Sequence, residues 1–239
     1  MFDTKVSLYP IMILLSLLSN VIVVIMIYKK YNFNKDEIIG ALLYENIGII
    51  FGAKLLSYIE NYKLYGQFNF LKIGISSYGG VIGAIICLII FGLQFKKELK
   101  QMLYVFMPSI PLMYAIGKIG CFLVGCCYGI KYNGVGSILY KYSIEAPSNT
   151  RVFPVQLLET ILFLLIFILI IKMIKSNLNN LKILSINFIL CGFAKFITDF
   201  LRMSHVNKIL SLNQVISLFF VILGITIYLK NKRTINLLI

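Results

Sequence analysis

Charge is what this chain lacks most. Only 13% of its 239 residues are Asp, Glu, Lys or Arg, where a soluble domain carries about 25%. Hydrophobic residues make up 59% and mean hydropathy is +0.90, so there is too little polar surface to cover a water-soluble fold. Acidic residues are scarcer still, nine against 23 basic, for a net charge of +14. That excess does not point to nucleic acid. The lysines stand between apolar runs rather than along a basic helix face with stacking aromatics, and read as topology signals and lipid-headgroup contacts. A separable signal peptide is not expected, because the first apolar stretch, 8–28, is too long and has no small-residue cleavage site. Five cysteines (Cys87, Cys121, Cys126, Cys127 and Cys191) fall in apolar segments, with no secreted-type disulfide framework. There is one histidine, His205. With Cys121, Cys126 and Cys127 it does not match zinc spacing, so no metal site is expected, and no cofactor is implied. No convincing internal repeat is visible, which speaks against a transporter.

Apolar length supplies what charge does not. Runs long enough to cross a bilayer recur along the chain, giving an all-α, polytopic membrane protein of about seven spanning helices in a single domain, 1–239. The expected spans are 8–28, 38–59, 73–94, 103–127, 153–174, 182–202 and 209–229. Lysines cluster on alternate connections: Lys29, Lys30 and Lys35; Lys96, Lys97 and Lys100; Lys172, Lys175 and Lys182; then Lys230, Lys232 and Arg233. The positive-inside rule puts these in the cytoplasm, with the N-terminus outside and the C-terminus inside. The connections 62–71 and 131–152 then lie outside, the second punctuated by Pro147 and Asn149. On that topology Tyr9, Tyr78, Lys118, Cys121, Gln156, Glu159, Lys195, Asp199 and Arg202 all fall in the outer half of the membrane. Their shared depth implies a polar cavity there. Glu45 and Lys54 on the second helix are the exceptions.

Residues 117–129, GKIGCFLVGCCYG, are the most informative stretch. A lysine inside hydrocarbon costs roughly 2.5–3.5 kcal/mol. Gly117, Cys121, Gly125 and Gly129 recur every fourth position, which on a continuous helix makes one small-residue face. A packing helix with a snorkelling lysine is the plainer alternative. Lys195, Asp199 and Arg202, at i, i+4 and i+7, are expected as one ridge of alternating charge. There the carboxylate keeps a cation ionised and leaves positive charge for an anionic substrate; a structural salt bridge is the alternative. Tyr78-Gly79-Gly80 opens the third helix with a hydroxyl donor and paired glycines that let backbone approach a ligand, or serve helix packing. Pro154 suits a first helical turn, after which Gln156 and Glu159 project from one face. Glu159 reads equally well as a partner of the helix dipole.

These blocks resemble those of the prolipoprotein diacylglyceryl transferase family over nearly the whole chain. Tyr9 in SLYP matches that family's first-helix tyrosine. SSYGGVIG at 76–83 is similar to its SFHGGLxG, and GKIGCFLVGCCYG to its GRxGNFxNGExxG. RVFPVQLLE at 151–159 resembles RHPxQLYE, and CGFAKFITDFLR at 191–202 resembles YGxFRxxxEFxR. LSLNQVISL is similar to the start of the family's last helix. The resemblance implies a seven-helix enzyme that moves diacylglyceryl from phosphatidylglycerol to the lipobox cysteine thiol of a preprolipoprotein, forming a thioether and releasing glycerol phosphate. It implies phosphatidylglycerol, the preprolipoprotein signal peptide and membrane lipid as partners, and the bacterial cell membrane as location.

The departures from the family pattern bear on chemistry. Tyr78 stands where the family has histidine, Lys118 and Lys195 where it has arginine, and Asp199 where it has glutamate. Cys121 and Cys126 replace its asparagine and glutamate, Cys191 its tyrosine, and Phe153 its second histidine. The lysines keep the charge but lose the bidentate fork that suits phosphate. A phenol titrates near 10, so Tyr78 is a poor base unless a cation lowers its pKa. A thiol becomes a strong nucleophile only when deprotonated, which nearby lysine promotes. The expected catalytic residues are therefore Tyr78, Lys118, Lys195 and Asp199. Tyr9, Gly79, Gly80, Cys121, Cys126, Gln156, Glu159 and Arg202 are expected to bind substrate. Two other functions fit the same residues: a lipid-modifying enzyme with another acceptor that uses Cys121 or Cys126 covalently, and a non-catalytic lipid-binding membrane protein.

Overall fold

Each apolar run folds as a helix because no water is present in hydrocarbon to satisfy free backbone groups. The computed structural model describes residues 4–67, 69–70, 72–206 and 209–236. Among these, seven helices are long and apolar enough to cross a membrane, and the chain is a multi-pass membrane protein. They are α1 (Thr4–Ile27), α2 (Lys35–Glu60), α3 (Ser77–Phe95), α4, α5 (Val155–Lys175), α6 (Asn180–Phe200) and α7 (Leu212–Asn236). α4 runs in two pieces, Leu99–Phe106 and Ile110–Val124, joined by the 3-10 turn Met107–Ser109. Pro108 in that turn supplies no N–H, and Pro111 opens the second piece where none is needed. Side chains such as Met26, Leu93 and Phe219 stand well exposed, as lipid-facing positions require. Of the residues read from sequence, Leu71 and the side chains of Lys232 and Arg233 lie outside the described ones.

The helices form two compact units, Met1–Asn20 with Pro111–Ile239, and Val21–Ile110. In the smaller unit α2 packs on α3 through glycines. A Cβ placed on Gly48 or Gly52 would run into the carbonyls of Gly83 and Gly79 respectively. Leu88 and Phe91 are buried in α3, and Met102, Phe106 and Met107 in α4 and its turn. Glu37 accepts from the Asn34 N–H at 3.1 Å, fixing the start of α2, and pairs with Lys97 at 2.6 Å.

In the larger unit α6 packs between α5 and α7. Gly192 admits the Ser217 carbonyl and Gly224 that of Ser185, so α6 and α7 approach closely. The connection from α4 to α5 is not a simple surface loop. Tyr140, Ala146 and Val152 are buried in a small core against Tyr128 and Ile138. Isolated bridges join Gly129 to Arg202, and Val152 to both Lys131 and Ile138. Ile130 N–H donates to Leu201 O at 2.9 Å, Met203 N–H to Tyr128 O at 3.1 Å, and Phe153 N–H to Ile130 O at 3.0 Å.

Three sequence expectations are corrected here. α3 starts at Ser77 rather than 73, because the chain before it forms a loop that ends at Ser76. α4 stops at Val124 rather than 127, because Gly125 takes φ +71°, a left-handed conformation that ends a helix. The four small residues at 117–129 consequently do not share a helix face. Only Gly117 and Cys121 lie on α4, while Gly129 sits in a bridge where a Cβ would strike the Phe153 carbonyl. Finally, α6 ends at Phe200, so Arg202 does not extend its charged ridge. It lies one residue beyond the Leu201 cap, in extended backbone.

Candidate active site

Glu159 is the hub of the larger unit. Lying on the second turn of α5, it is fully buried. Lys118 of α4 reaches one oxygen, Oε2, at 2.7 Å, and Lys195 of α6 reaches the other, Oε1, at 2.7 Å. Tyr114 Oη donates to Oε1 at 2.8 Å and Thr198 Oγ1 at 3.1 Å. Both lysine ammonium groups also lie over the Tyr114 ring, 5.1 and 5.8 Å from its centroid, where the ring's negative face favours a cation. Three hydrogen bonds at Oε1 and an ion pair at Oε2 are what burial of that charge requires. Three helices are tied together through this one side chain. Its reading as a dipole partner gives way to that of an organising anion.

Asp199 is the second carboxylate. Its Oδ1 faces Lys195 at 3.6 Å and Arg202 Nη1 at 3.5 Å, and its Oδ2 accepts from Ser211 Oγ at 2.5 Å. His205 Nδ1 lies 3.9 Å away. Three cations thus face two carboxylates. Among the described residues Arg202 Nε is buried without a hydrogen-bond partner, as are Glu159 Oε2 and Asp199 Oδ1, which meet Lys118, Lys195 and Arg202 as ion pairs instead. Burial works against the charge of Arg202, but Cys127, Glu159, Tyr114 and Asp199 outweigh it and raise its pKa further.

The second constellation is the turn after α4. Cys126 N–H donates to Cys121 O at 3.1 Å, and Gly125 and Cys127 both take left-handed backbone, φ +71° and +55°. The chain folds back, and the sulfurs of Cys121, Cys126 and Cys127 all come within 4.8 Å of one another. Zinc spacing in the sequence gives no sign of this grouping, because it is made by the turn and not by a helix face. Gln156 donates to the Cys126 carbonyl at 2.8 Å, and Glu145 accepts from the Cys127 N–H at 3.0 Å. Tyr9 of α1 packs against the group. The Cys127 thiol is held well below the usual thiol range. Donation from Cys121 and then Cys126 lowers it, burial opposes, and the charges of Arg202 and Lys118 add to the lowering.

Lys118, Lys195, Glu159, Asp199 and Arg202 therefore gather in one cluster, and Tyr9, Cys121, Cys126 and Gln156 meet at the neighbouring turn. Tyr78, Gly79 and Gly80 belong to the smaller unit. Tyr78 is buried there at the start of α3, and the Gly79 face is taken up by close contact with Gly52 of α2. Lys54, also in that unit, donates to Ile73 O at 2.5 Å and lies over Phe70. Sequence reasoning missed Tyr114, Thr198, Ser211 and Glu145. Tyr114 and Thr198 had a signal, four residues before Lys118 and three after Lys195, on the same helix faces. Ser211 lies inside the LSLNQVISL block without having been singled out, and Glu145 lies in a connection and had no signal.

The sequence pattern of the family described as prolipoprotein diacylglyceryl transferase matches residues 1–230. The phosphatidylglycerol–prolipoprotein diacylglyceryl transferase of Clostridium tetani is 33% identical over 235 residues, covering 95% of this chain and 94% of that protein. The Clostridium perfringens protein named phosphatidylglycerol–prolipoprotein diacylglyceryl transferase 2 is 26% identical, over 97% of this chain and 93% of its own length. The Finegoldia magna transferase of the same name is 29% identical, over 98% and 94%. With the pattern and these relatives spanning nearly its whole length, the chain belongs to the prolipoprotein diacylglyceryl transferase family.

Proposed function

We propose that this chain transfers the diacylglyceryl group of phosphatidylglycerol to the lipobox cysteine thiol of a preprolipoprotein, in the bacterial cytoplasmic membrane, with its N-terminus outside. The observation that carries the reading is the buried cluster around Glu159 and Asp199, which fixes Lys118, Lys195 and Arg202 together and, among the described residues, leaves Arg202 Nε without a hydrogen-bond partner. Such a cluster binds an anion without having to assemble itself. In the proposed reaction the acceptor thiolate attacks the glyceryl carbon. An S–C bond forms, the C–O bond to phosphate breaks, and the electron pair leaves on glycerol phosphate. Lys118, Lys195 and Arg202 stabilise the charge that grows on that leaving group. Glu159 and Asp199 hold these cations in position without touching the reacting atoms. Gln156 and Tyr9 shape the adjoining turn.

Two measurements test this. Expressed in a strain depleted of its own transferase, the chain is expected to restore lipoprotein lipidation. Purified with phosphatidylglycerol and a lipobox peptide, it is expected to release glycerol phosphate in step with thioether formation. Good expression with neither outcome would overturn the assignment.

A further inference from the structure

The proposed reaction leaves one requirement unmet: the acceptor thiol must lose its proton, and the phenol at position 78 is a poor base. The turn at 121–127 offers another route. Three free thiols, Cys121, Cys126 and Cys127, converge within 4.8 Å and make no disulfide among the described residues. Their backbone is fixed by contacts that do not use sulfur. Ile144 N–H bonds Val124 O at 3.0 Å, Ala146 N–H bonds Gly125 O at 3.1 Å, Glu145 holds the Cys127 N–H, and Gln156 holds the Cys126 carbonyl. Cys121 and Cys126 are buried, and Cys127 is packed against them. If the three were only small packing residues, nothing would require their sulfurs to converge.

Three thiolates form a soft ligand set of the kind that selects zinc and related thiophilic ions. Zn–S bonds of about 2.3 Å put tetrahedral ligands roughly 3.8 Å apart, so closing from 4.8 Å asks only for small side-chain rotations. Three protein ligands also leave the fourth tetrahedral position open, the arrangement of catalytic rather than structural sites. A thiol bound at that position is deprotonated outright.

We propose that Cys121, Cys126 and Cys127 hold a thiophilic divalent cation of the zinc class, with the acceptor cysteine thiol taking its fourth position. The acceptor releases its proton to solvent on binding, and its sulfur then attacks the glyceryl carbon as described. No redox partner is needed. The role of the fourth position rests on the proposed function; the metal site itself does not.

The test uses the full chain in detergent, reduced, stripped of metal and titrated with Co(II). One Co(II) per chain, with sulfur-to-metal charge-transfer absorption displaced by Zn(II), is expected. Cys121→Ser, Cys126→Ser and Cys127→Ser should each abolish it, while Cys87→Ser and Cys191→Ser keep it. Cys127→His guards against simple misfolding, since it should retain Co(II) with an altered spectrum. A lipobox peptide should shift the cobalt ligand-field bands, and its Cys→Ser counterpart should not. Absence of charge-transfer absorption while all five thiols titrate as free overturns the metal site. Metal bound with no spectral response to the peptide overturns the fourth-position role. Metal and peptide bound with no glycerol phosphate released by any metal form overturns the transferase reading and leaves the site standing.

Discussion

Where α2 meets α3 in the smaller unit, glycine faces glycine; where α5 meets α6 in the larger, a carboxylate faces a lysine. Both solutions bring helices together in lipid, where apolar burial between helices supplies no driving force. Glycine does it by close backbone approach, with Gly48 and Gly52 set against Gly83 and Gly79. Glu159 does it by holding Lys118 and Lys195, at the expense of burying charge. Buried ion pairs often only break even against apolar packing. The two solutions therefore make different demands on the fold, and removing each separates packing from chemistry.

The comparison can be broken at its strongest point first. Glu159→Gln leaves buried Lys118 without its anion and Lys195 with Asp199 at 3.6 Å alone, and should destabilise by about 3–5 kcal/mol and abolish transfer, read by thermal unfolding in detergent and by glycerol phosphate release. Glu159→Gln combined with Lys118→Met and Lys195→Met should recover much of the stability and none of the activity. Recovery of both would mean that the cluster is only a fastener. Arg202→Gln removes the donor that has an unused Nε, and should weaken phosphatidylglycerol binding about ten- to a hundredfold, seen as a raised KM with little change in melting temperature. Gly83→Val should do the opposite. Its side chain meets the α2 backbone and should lower stability by about 1–3 kcal/mol, with KM unchanged in the folded fraction. Ser211→Ala takes one hydrogen bond from Asp199, and the smallest effect is expected there, about 1 kcal/mol in the same unfolding measurement.

The helices were legible because their length is set by the bilayer, and seven apolar runs can hardly be misread. Their ends were less so. Nothing in the apolar run through 103–127 says that Gly125 turns left-handed, since glycine is equally at home in a membrane helix. Lys118, Glu159, Lys195, Asp199 and Arg202 were expected together and do cluster, but their pairing was not legible. Spacing within a helix put Asp199 beside Lys195, yet that contact is 3.6 Å, and the closer partner is Glu159 at 2.7 Å, 36 residues away. Periodicity reports neighbours on one helix and is silent about which helix faces which. The thiol cluster was hidden for a related reason: residues five apart do not share a helix face, and only the reversal at 125–127 brings their sulfurs together.

One peptide segment joins the two halves of this site. Tyr128 and Ile130, immediately after the cysteines, carry the backbone hydrogen bonds that hold Leu201 and Met203 on either side of Arg202. The cysteine turn and the guanidinium therefore hang from opposite ends of a lever one residue long. The proposed acceptor site and the proposed phosphate grip thus share one backbone connection, so a substitution that disturbs either is expected to be felt at the other.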